Sequence, residues 1–214
     1  MTTPCDCTGR HEPLLVVLTG GPGSGKTAVL ELERLFFCRH VVRLPESAGI
    51  VFGGGFPRSG EMDARQASQR AIFHVQRELE RLALARDAAV VLCDRGTVDG
   101  AAYWLGPRNL FAEVGTTLQH ELRRYHAVIH LRTPADGRGY GHENPLRVES
   151  ADEAALIDAR LAEIWDGHPR RFEIAATEDF LTKAAQALSV LRDLVPPCCR
   201  HHVADFLWET PPAK

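Results

Sequence analysis

Several things are missing from this sequence of 214 residues. No apolar run approaches the roughly 20 residues that a membrane-spanning helix needs. The opening, Met1-Thr2-Thr3-Pro4-Cys5-Asp6-Cys7, has neither a basic region nor an apolar core, so no secretory leader is visible and a cytoplasmic location is expected. Basic charge is not in excess: the formal net charge is -3 and the pI near 6.4, which argues against a general nucleic-acid binder. Internal repeats and low-complexity segments are absent. The six cysteines include none of the paired C-x2-C spacings of common zinc sites, and no H-x-x-x-H ligand pair falls on a helix, so no residue is assigned to zinc. Cys38 and Cys93 lie in apolar surroundings and read as buried thiols, whereas Cys5, Cys7, Cys198 and Cys199 read as surface thiols in a reducing compartment.

What is present is ordinary in bulk: 44% hydrophobic and 25% charged residues, enough for the core of one α/β domain. One stretch is not ordinary. Gly20-Gly21-Pro22-Gly23-Ser24-Gly25-Lys26-Thr27 reads G-x-x-x-x-G-K-T, the phosphate-binding loop. The apolar run Leu14 to Leu18 before it suits a buried parallel strand, and the segment Ala28 to Phe36 after it has a helical pattern. Strand, glycine loop and helix form the context the motif requires. The glycines allow positive φ and close approach to phosphate. The loop N–H groups and the helix N-terminus point at an anion. In such loops the lysine, here Lys26, reaches the β and γ phosphates, and the hydroxyl, here Thr27, coordinates Mg²⁺.

The rest of the chain alternates strands and helices. Strands are expected at Val41–Leu44, over Ala88–Cys93, over His126–Leu131 and at Arg171–Ile174. A long helix is expected over about Met62 to Arg86, its apolar stripe carrying Ala64, Ala67, Ala71, Val75, Leu79 and Leu82. Val98 to Leu105 and Thr116 to Arg124 read as shorter helices. Ser150 and Glu153 form a capping box that opens a helix to about Trp165, and Asp179 lies in the cap of the last helix, which Pro196-Pro197 ends. Gly53-Gly54-Gly55 breaks any regular element. The expected organisation is a loose leader over 1–13, a domain over 14–195 with a lid loop at 132–149, and an irregular tail over 196–214. Alternating strands and helices imply a parallel sheet with right-handed crossovers. Ligands in such sheets sit beyond the carboxyl ends of the strands, which gathers the loop, Glu46, Asp94-Arg95 and Arg132 on one rim.

Four groups of residues then carry candidate chemistry. Asp94 ends an apolar run where a second phosphate-site carboxylate would hold Mg²⁺, the alternative being a cap of the next helix. Glu46 ends the second strand and can accept a proton from an attacking hydroxyl, or it is a solvated loop acid. Arg95 can bind an anion bidentately, or it forms a structural ion pair. The 132–149 loop offers Arg132, Arg138 and Arg147 to a transferring phosphoryl group.

These residues carry a resemblance. The order Gly20-to-Thr27 loop, Pro45-Glu46, Asp94-Arg95-Gly96-x-x-Asp99-x-x-Ala102-Tyr103 and Asn144-Pro145-Leu146-Arg147-Val148-Glu149 resembles the NadR-like AAA-domain P-loop group. That group is similar to nicotinamide riboside, deoxynucleoside and thymidylate kinases. The resemblance covers about residues 14–195 and implies a P-loop three-layer sandwich of nucleoside-kinase type. It implies ATP and Mg²⁺ as ligands and a small-molecule acceptor. It makes Glu46 the base, Asp94-Arg95 the acid–arginine pair and Arg147 a lid residue. The expected activity is transfer of the γ-phosphoryl of ATP to a hydroxyl of a nucleoside- or vitamin-type acceptor. An ATP- or GTP-dependent switch with slow hydrolysis is the alternative, and a homodimer is left open. A guanine-recognition motif is missing, since Thr182-Lys183-Ala184-Ala185 lacks the needed Asp. The chain is short for the helical lid domain of a ring-forming motor.

Overall fold

The computed structural model describes residues 5–134, 150–177, 179–200 and 203. Five strands, β1 (Leu14–Thr19), β2 (Val41–Leu44), β3 (Val90–Asp94), β4 (Ala127–Leu131) and β5 (Arg171–Ile174), form one sheet. The helices are α1 (Lys26–Phe36), α2 (Ser47–Gly53), α3 (Met62–Leu84), α4 (Gly100–Tyr103), α5 (Leu110–Glu113), α6 (Leu118–Arg124), α7 (Ala151–Trp165), α8 (Phe180–Leu194) and α9 (Pro197–Arg200). A 3₁₀ turn at Thr97–Asp99 leads into α4. All strand pairs are parallel, in the order β2-β3-β1-β4-β5. The fold is therefore α/β with a three-layer arrangement.

The central strand explains the layers. Val16 and Leu18 point into one core with Val29, Leu30, Leu188 and Leu191 from α1 and α8. Leu15 and Val17 point into the other, with Ala83, Leu122 and Trp165 from α3, α6 and α7. Both faces of β1 are covered, which is why its sequence is a continuous apolar run. From β1 the chain crosses to β2 on the β3 side, whereas from β3 it crosses back past β1 to β4, so the connections diverge and a crevice opens beyond the carboxyl ends of β1 and β3. The Ser150–Glu153 capping box forms as expected: Ser150 Oγ accepts from Glu153 N at 3.2 Å, and the Glu153 carboxylate accepts from Ser150 N at 2.7 Å.

Four expectations need correction. The buried side of α3 is not the Ala/Leu stripe: it carries Ser68, Phe73, Gln76, Glu80 and Ala83, while Leu82 is 57% exposed. The helix is turned because its buried polar groups satisfy one another. Ser47 Oγ donates to Gln76 Oε1 at 2.5 Å, and Gln76 Nε2 and Tyr125 Oη donate to Glu80 Oε1 at 2.9 and 2.8 Å. Arg124 donates to Glu80, and to Glu121 at 2.8 Å. Second, α2 stands where no element was expected, its Val51 buried and its end set by Gly54 N donating to Ile50 O at 2.9 Å. Third, residues 5–13 have no helix or strand, yet Cys7 is buried against the core. Fourth, the tail does not turn irregular at Cys198, because α9 runs through it and buries Cys199. Residues 204–214 lie outside the described residues.

The charge cluster yields a stability test. Glu80 is fully buried and Glu121 nearly so, and Arg124 serves both. Arg124→Ala leaves the fully buried Glu80 without its cation and Glu121 with Arg77 alone, and should cost about 3–5 kcal/mol in urea unfolding. Arg81→Ala, which removes only an exposed pair with Glu78, should stay within about 0.5 kcal/mol.

Candidate functional site

At the carboxyl end of β1 the backbone enters the glycine loop. Gly20 has φ 147, and a Cβ there would lie 2.2 Å from the Leu131 carbonyl, so no other residue fits. Gly23 and Gly25 also have positive φ, and Gly25 starts α1. Lys26 curls back over the loop, its Nζ donating to Gly20 O at 2.7 Å, Gly21 O at 3.1 Å and Ser24 Oγ at 3.2 Å. Burial, and next the Arg95 guanidinium, push its ammonium down to about 7.

The loop is braced from behind by residues that sequence reasoning missed. Asp158 of α7 accepts from Gly21 N at 3.0 Å, His130 Nε2 lies 3.1 Å from it, and Arg132 Nε donates to it at 2.7 Å. Burial alone would raise the Asp158 carboxyl, but these partners hold it well below the usual carboxylate range. Lys183 of α8 donates to Ser24 O at 2.9 Å and to Arg132 O at 2.6 Å. A signal existed: Asp158 sits between Ala154 and Leu161 on the buried side of α7, and Lys183 beside Ala184 and Ala187 on that of α8. An ion on an apolar face needs a partner inside.

β3 delivers the acid–arginine pair. Arg95 has φ 72, the one non-glycine positive φ among the described residues. Its backbone N donates to Leu18 O at 3.1 Å, Nε to Glu46 Oε1 at 2.8 Å and Nη1 to Gly20 O at 3.2 Å. Its guanidinium lies 5.5 Å from the Tyr103 ring centroid. Asp94 does not cap the next turn. Asp99 does, accepting from Gly96 N at 2.6 Å while its other oxygen accepts from Thr19 Oγ1 and, at 3.2 Å, from Trp165 Nε1. Asp94 Oδ1 is buried with no hydrogen-bond partner among the described residues, and burial together with the Glu46 charge raises its carboxyl to about 6. Burial would also raise Glu46, but Arg95 and Lys26 overcome this and hold it below the ordinary value.

These groups face one cavity of about 510 Å³, within the range of small-molecule sites. Pro22, Gly23, Lys26, Thr27, Glu46, Asp94 and Arg95 all line it, so the structure brings together the residues singled out in sequence; Gly20, Gly21, Ser24 and Gly25 complete the loop. The far wall is built from α2, α3 and α4 and includes Phe52, Phe73, Gln69 and Tyr103. Arg132 is on the rim but is held by Asp158 and, at 3.1 Å, Glu173. Arg138 and Arg147 lie outside the described residues. A magnesium nucleotide suits this donor set: the glycine cradle, a buried lysine bonded to loop oxygens and a carboxylate oxygen without a partner among the described residues face the same space.

Asp158→Asn should weaken the brace by about 2 kcal/mol at neutral pH. Because the folded carboxyl is depressed, that contribution is present above the unfolded value near 4 and is lost as pH falls through the folded one. Urea unfolding of parent and variant should therefore differ at pH 7 and converge in increasingly acid buffer.

Comparison with known proteins bears on the whole assembly. The family model described as AAA domain matches residues 15–183. No curated protein matches. Among solved structures, the crystal structure of thymidylate kinase from Ehrlichia chaffeensis is similar, with TM-score 0.52, 15% identity, and coverage of 84% of this chain and 98% of that one. At that identity the likeness speaks for the fold alone, a fold shared with that thymidylate kinase. The matched family span takes in β1, the glycine loop, Glu46, the Asp94-Arg95 pair and the bracing Asp158, and the chain belongs to the AAA-domain family of P-loop proteins.

Proposed function

We propose that this protein is a small-molecule kinase that transfers the γ-phosphoryl of ATP to a hydroxyl of a nucleoside- or vitamin-type acceptor. The observation that carries this reading is the double grip of Arg95, which binds both Glu46 and the loop carbonyl of Gly20. One guanidinium thus fixes a candidate base relative to the phosphate cradle, the positioning that phosphoryl transfer depends on. In this reading the loop N–H groups and Lys26 hold the β and γ phosphates. Thr27 and Asp94 hold Mg²⁺, which neutralises phosphate charge when bound. Glu46, kept ionised by Arg95 and Lys26, accepts the acceptor's hydroxyl proton as its oxygen attacks phosphorus. The aromatic wall of Phe52, Phe73 and Tyr103, with the Gln69 amide beside it, suits a flat ring with hydrogen-bonding edges. The 132–149 segment is assigned as the lid, with Arg138 and Arg147 acting on the phosphoryl group and excluding water.

Three measurements test the proposal. With γ-labelled ATP and a pool of hydroxyl-bearing metabolites, label should appear in an organic product. Glu46→Gln should lower that transfer by about 10²–10⁴-fold and leave ATP affinity nearly unchanged. Label found only in inorganic phosphate, with Glu46→Gln behaving like the parent, would replace the kinase by a nucleotide-dependent switch. Lys26→Ala should abolish tight ATP binding. The pH dependence has a definite sign: a free Lys26 near 7 that meets polyphosphate takes up a proton, so affinity should fall as pH rises above about 7. Calorimetry in buffers of different ionisation enthalpy reads that proton directly, and its absence would remove Lys26 from the phosphate site.

A further inference from the structure

The opposite end of the sheet carries a second constellation. Cys5, Cys38, His40 and Cys199 present ligand atoms within 4.8 Å of one another, and so do Cys7, His11, His40 and Cys199. His40 precedes β2, at the amino end of the strands, whereas the glycine loop follows the carboxyl end of β1. Cys7, Cys38, His40 and Cys199 are all buried, from 0% to 8% exposed, although thiol and imidazole groups of the leader, the α1–β2 turn and α9 are far apart in sequence.

The distances are informative. His40 Nδ1 lies 3.2 Å from Cys199 Sγ and 3.5 Å from Cys5 Sγ; His11 Nε2 lies 3.6 Å from both Cys7 Sγ and Cys199 Sγ. A tetrahedral zinc with Zn–S near 2.3 Å and Zn–N near 2.0 Å has an S···N edge of about 3.5 Å. A single S–H···N hydrogen bond has a similar length, but here His40 Nδ1 meets two sulfurs and Cys199 Sγ meets two imidazoles, a convergence that a shared ion accounts for. The other nitrogen of His40 lies 4.0 Å from Asp87 Oδ2, beyond hydrogen-bond reach but with a carboxylate on its outward side.

We infer that this cluster binds one zinc-class divalent ion tetrahedrally, with His40 and Cys199 as two ligands and either Cys5 and Cys38 or Cys7 and His11 as the other two. Each ligating thiol gives its proton to solvent as the ion binds. With four protein ligands the site is closed and structural rather than catalytic. It ties segments separated by 159 residues (His40 to Cys199) or more into one knot at the end of the sheet away from the cavity.

The full chain, purified without chelator, should hold one zinc per chain by elemental mass spectrometry. After zinc removal, titration with Co²⁺ should give the visible d–d bands of a tetrahedral site and thiolate-to-cobalt charge transfer. Cys199→Ser and His40→Gln should lose both. Cys93→Ser, whose thiol lies in the other core, should keep both. Loss of the bands in Cys38→Ser marks the three-thiolate set, and loss in His11→Gln marks the two-thiolate set. A chelator should lower the melting temperature of the parent but not that of Cys199→Ser. If Cys199→Ser does not fold, the single variants at 38 and 11 decide: parent-like bands in both overturn the inference. So do substoichiometric zinc with no cobalt bands, or disulfides among these cysteines in protein alkylated without reductant.

Discussion

Arg95 sits where the constraints of the carboxyl rim converge. Its left-handed backbone costs about 1–3 kcal/mol in a residue that has a Cβ. The strain is tolerated because the turn is held at many points: Arg95 N on Leu18 O, Gly96 N on Asp99, and Asp99 in turn on Thr19 and Trp165. The reversal at Arg95 aims its guanidinium across the crevice instead of along the strand, where it reaches Glu46 and Gly20 together. It leaves the preceding residue, Asp94, facing the cavity with an oxygen that no donor among the described residues serves. Strand end, strained residue and unpartnered acid are thus one device, and the positions of β1, β2 and β3 in the sheet fix it.

The same logic runs behind β3. Gln76 lines the cavity, accepts from Ser47 at its rim and donates to Glu80, which is shared with Arg124 and Tyr125. Tyr125 Oη also accepts from Thr97 N, in the 3₁₀ turn that follows Arg95. A chain of satisfied polar groups therefore joins the far wall of the cavity to the turn that carries Asp94 and Arg95. In a low-dielectric interior such a chain is stiff, because losing any member leaves another unpaired. The site is mounted on a polar core, and this accounts for the face that α3 buries.

What the sequence made legible follows from how local each cause is. The strands of the sheet are apolar because both faces are covered, and that can be read from neighbours along the chain. The loop is legible because Gly20, Gly23, Gly25 and Lys26 each answer to a backbone or phosphate requirement at a fixed offset. The face of α3 was not legible, since Ser68, Gln76 and Glu80 look like solvent positions until their partners on other elements are known. Nor was α2, a short helix with Gly49 and Gly53 in it, whose packing against α3 supplies what propensity does not. Asp158 and Lys183 brace the loop from 137 and 159 residues away. Spacing rules for metal ligands fail in the same way: they register pairs within one turn, whereas His40 meets Cys199 across the whole domain.

The two ends of the sheet make a useful contrast. At the carboxyl end, buried Lys26 and half-buried Asp94 are ionisable groups held away from their ordinary values, and the cavity beside them is open to a ligand. Groups of that kind are costly to keep and mark a site that gains stability when something charged arrives. At the amino end, the leader and α9 fold over the core through Cys7 and Cys199. A loop that must hold left-handed glycines and a depressed lysine in place requires a rigid support. β1 runs from one end to the other, with Leu14 N bonded to Ala89 O at its start and Gly20 leaving its finish. Anything that stiffens the amino end of β1 and its neighbour β3 is therefore transmitted along two paired strands to Gly20 and Asp94, the residues from which the loop and the acid depart.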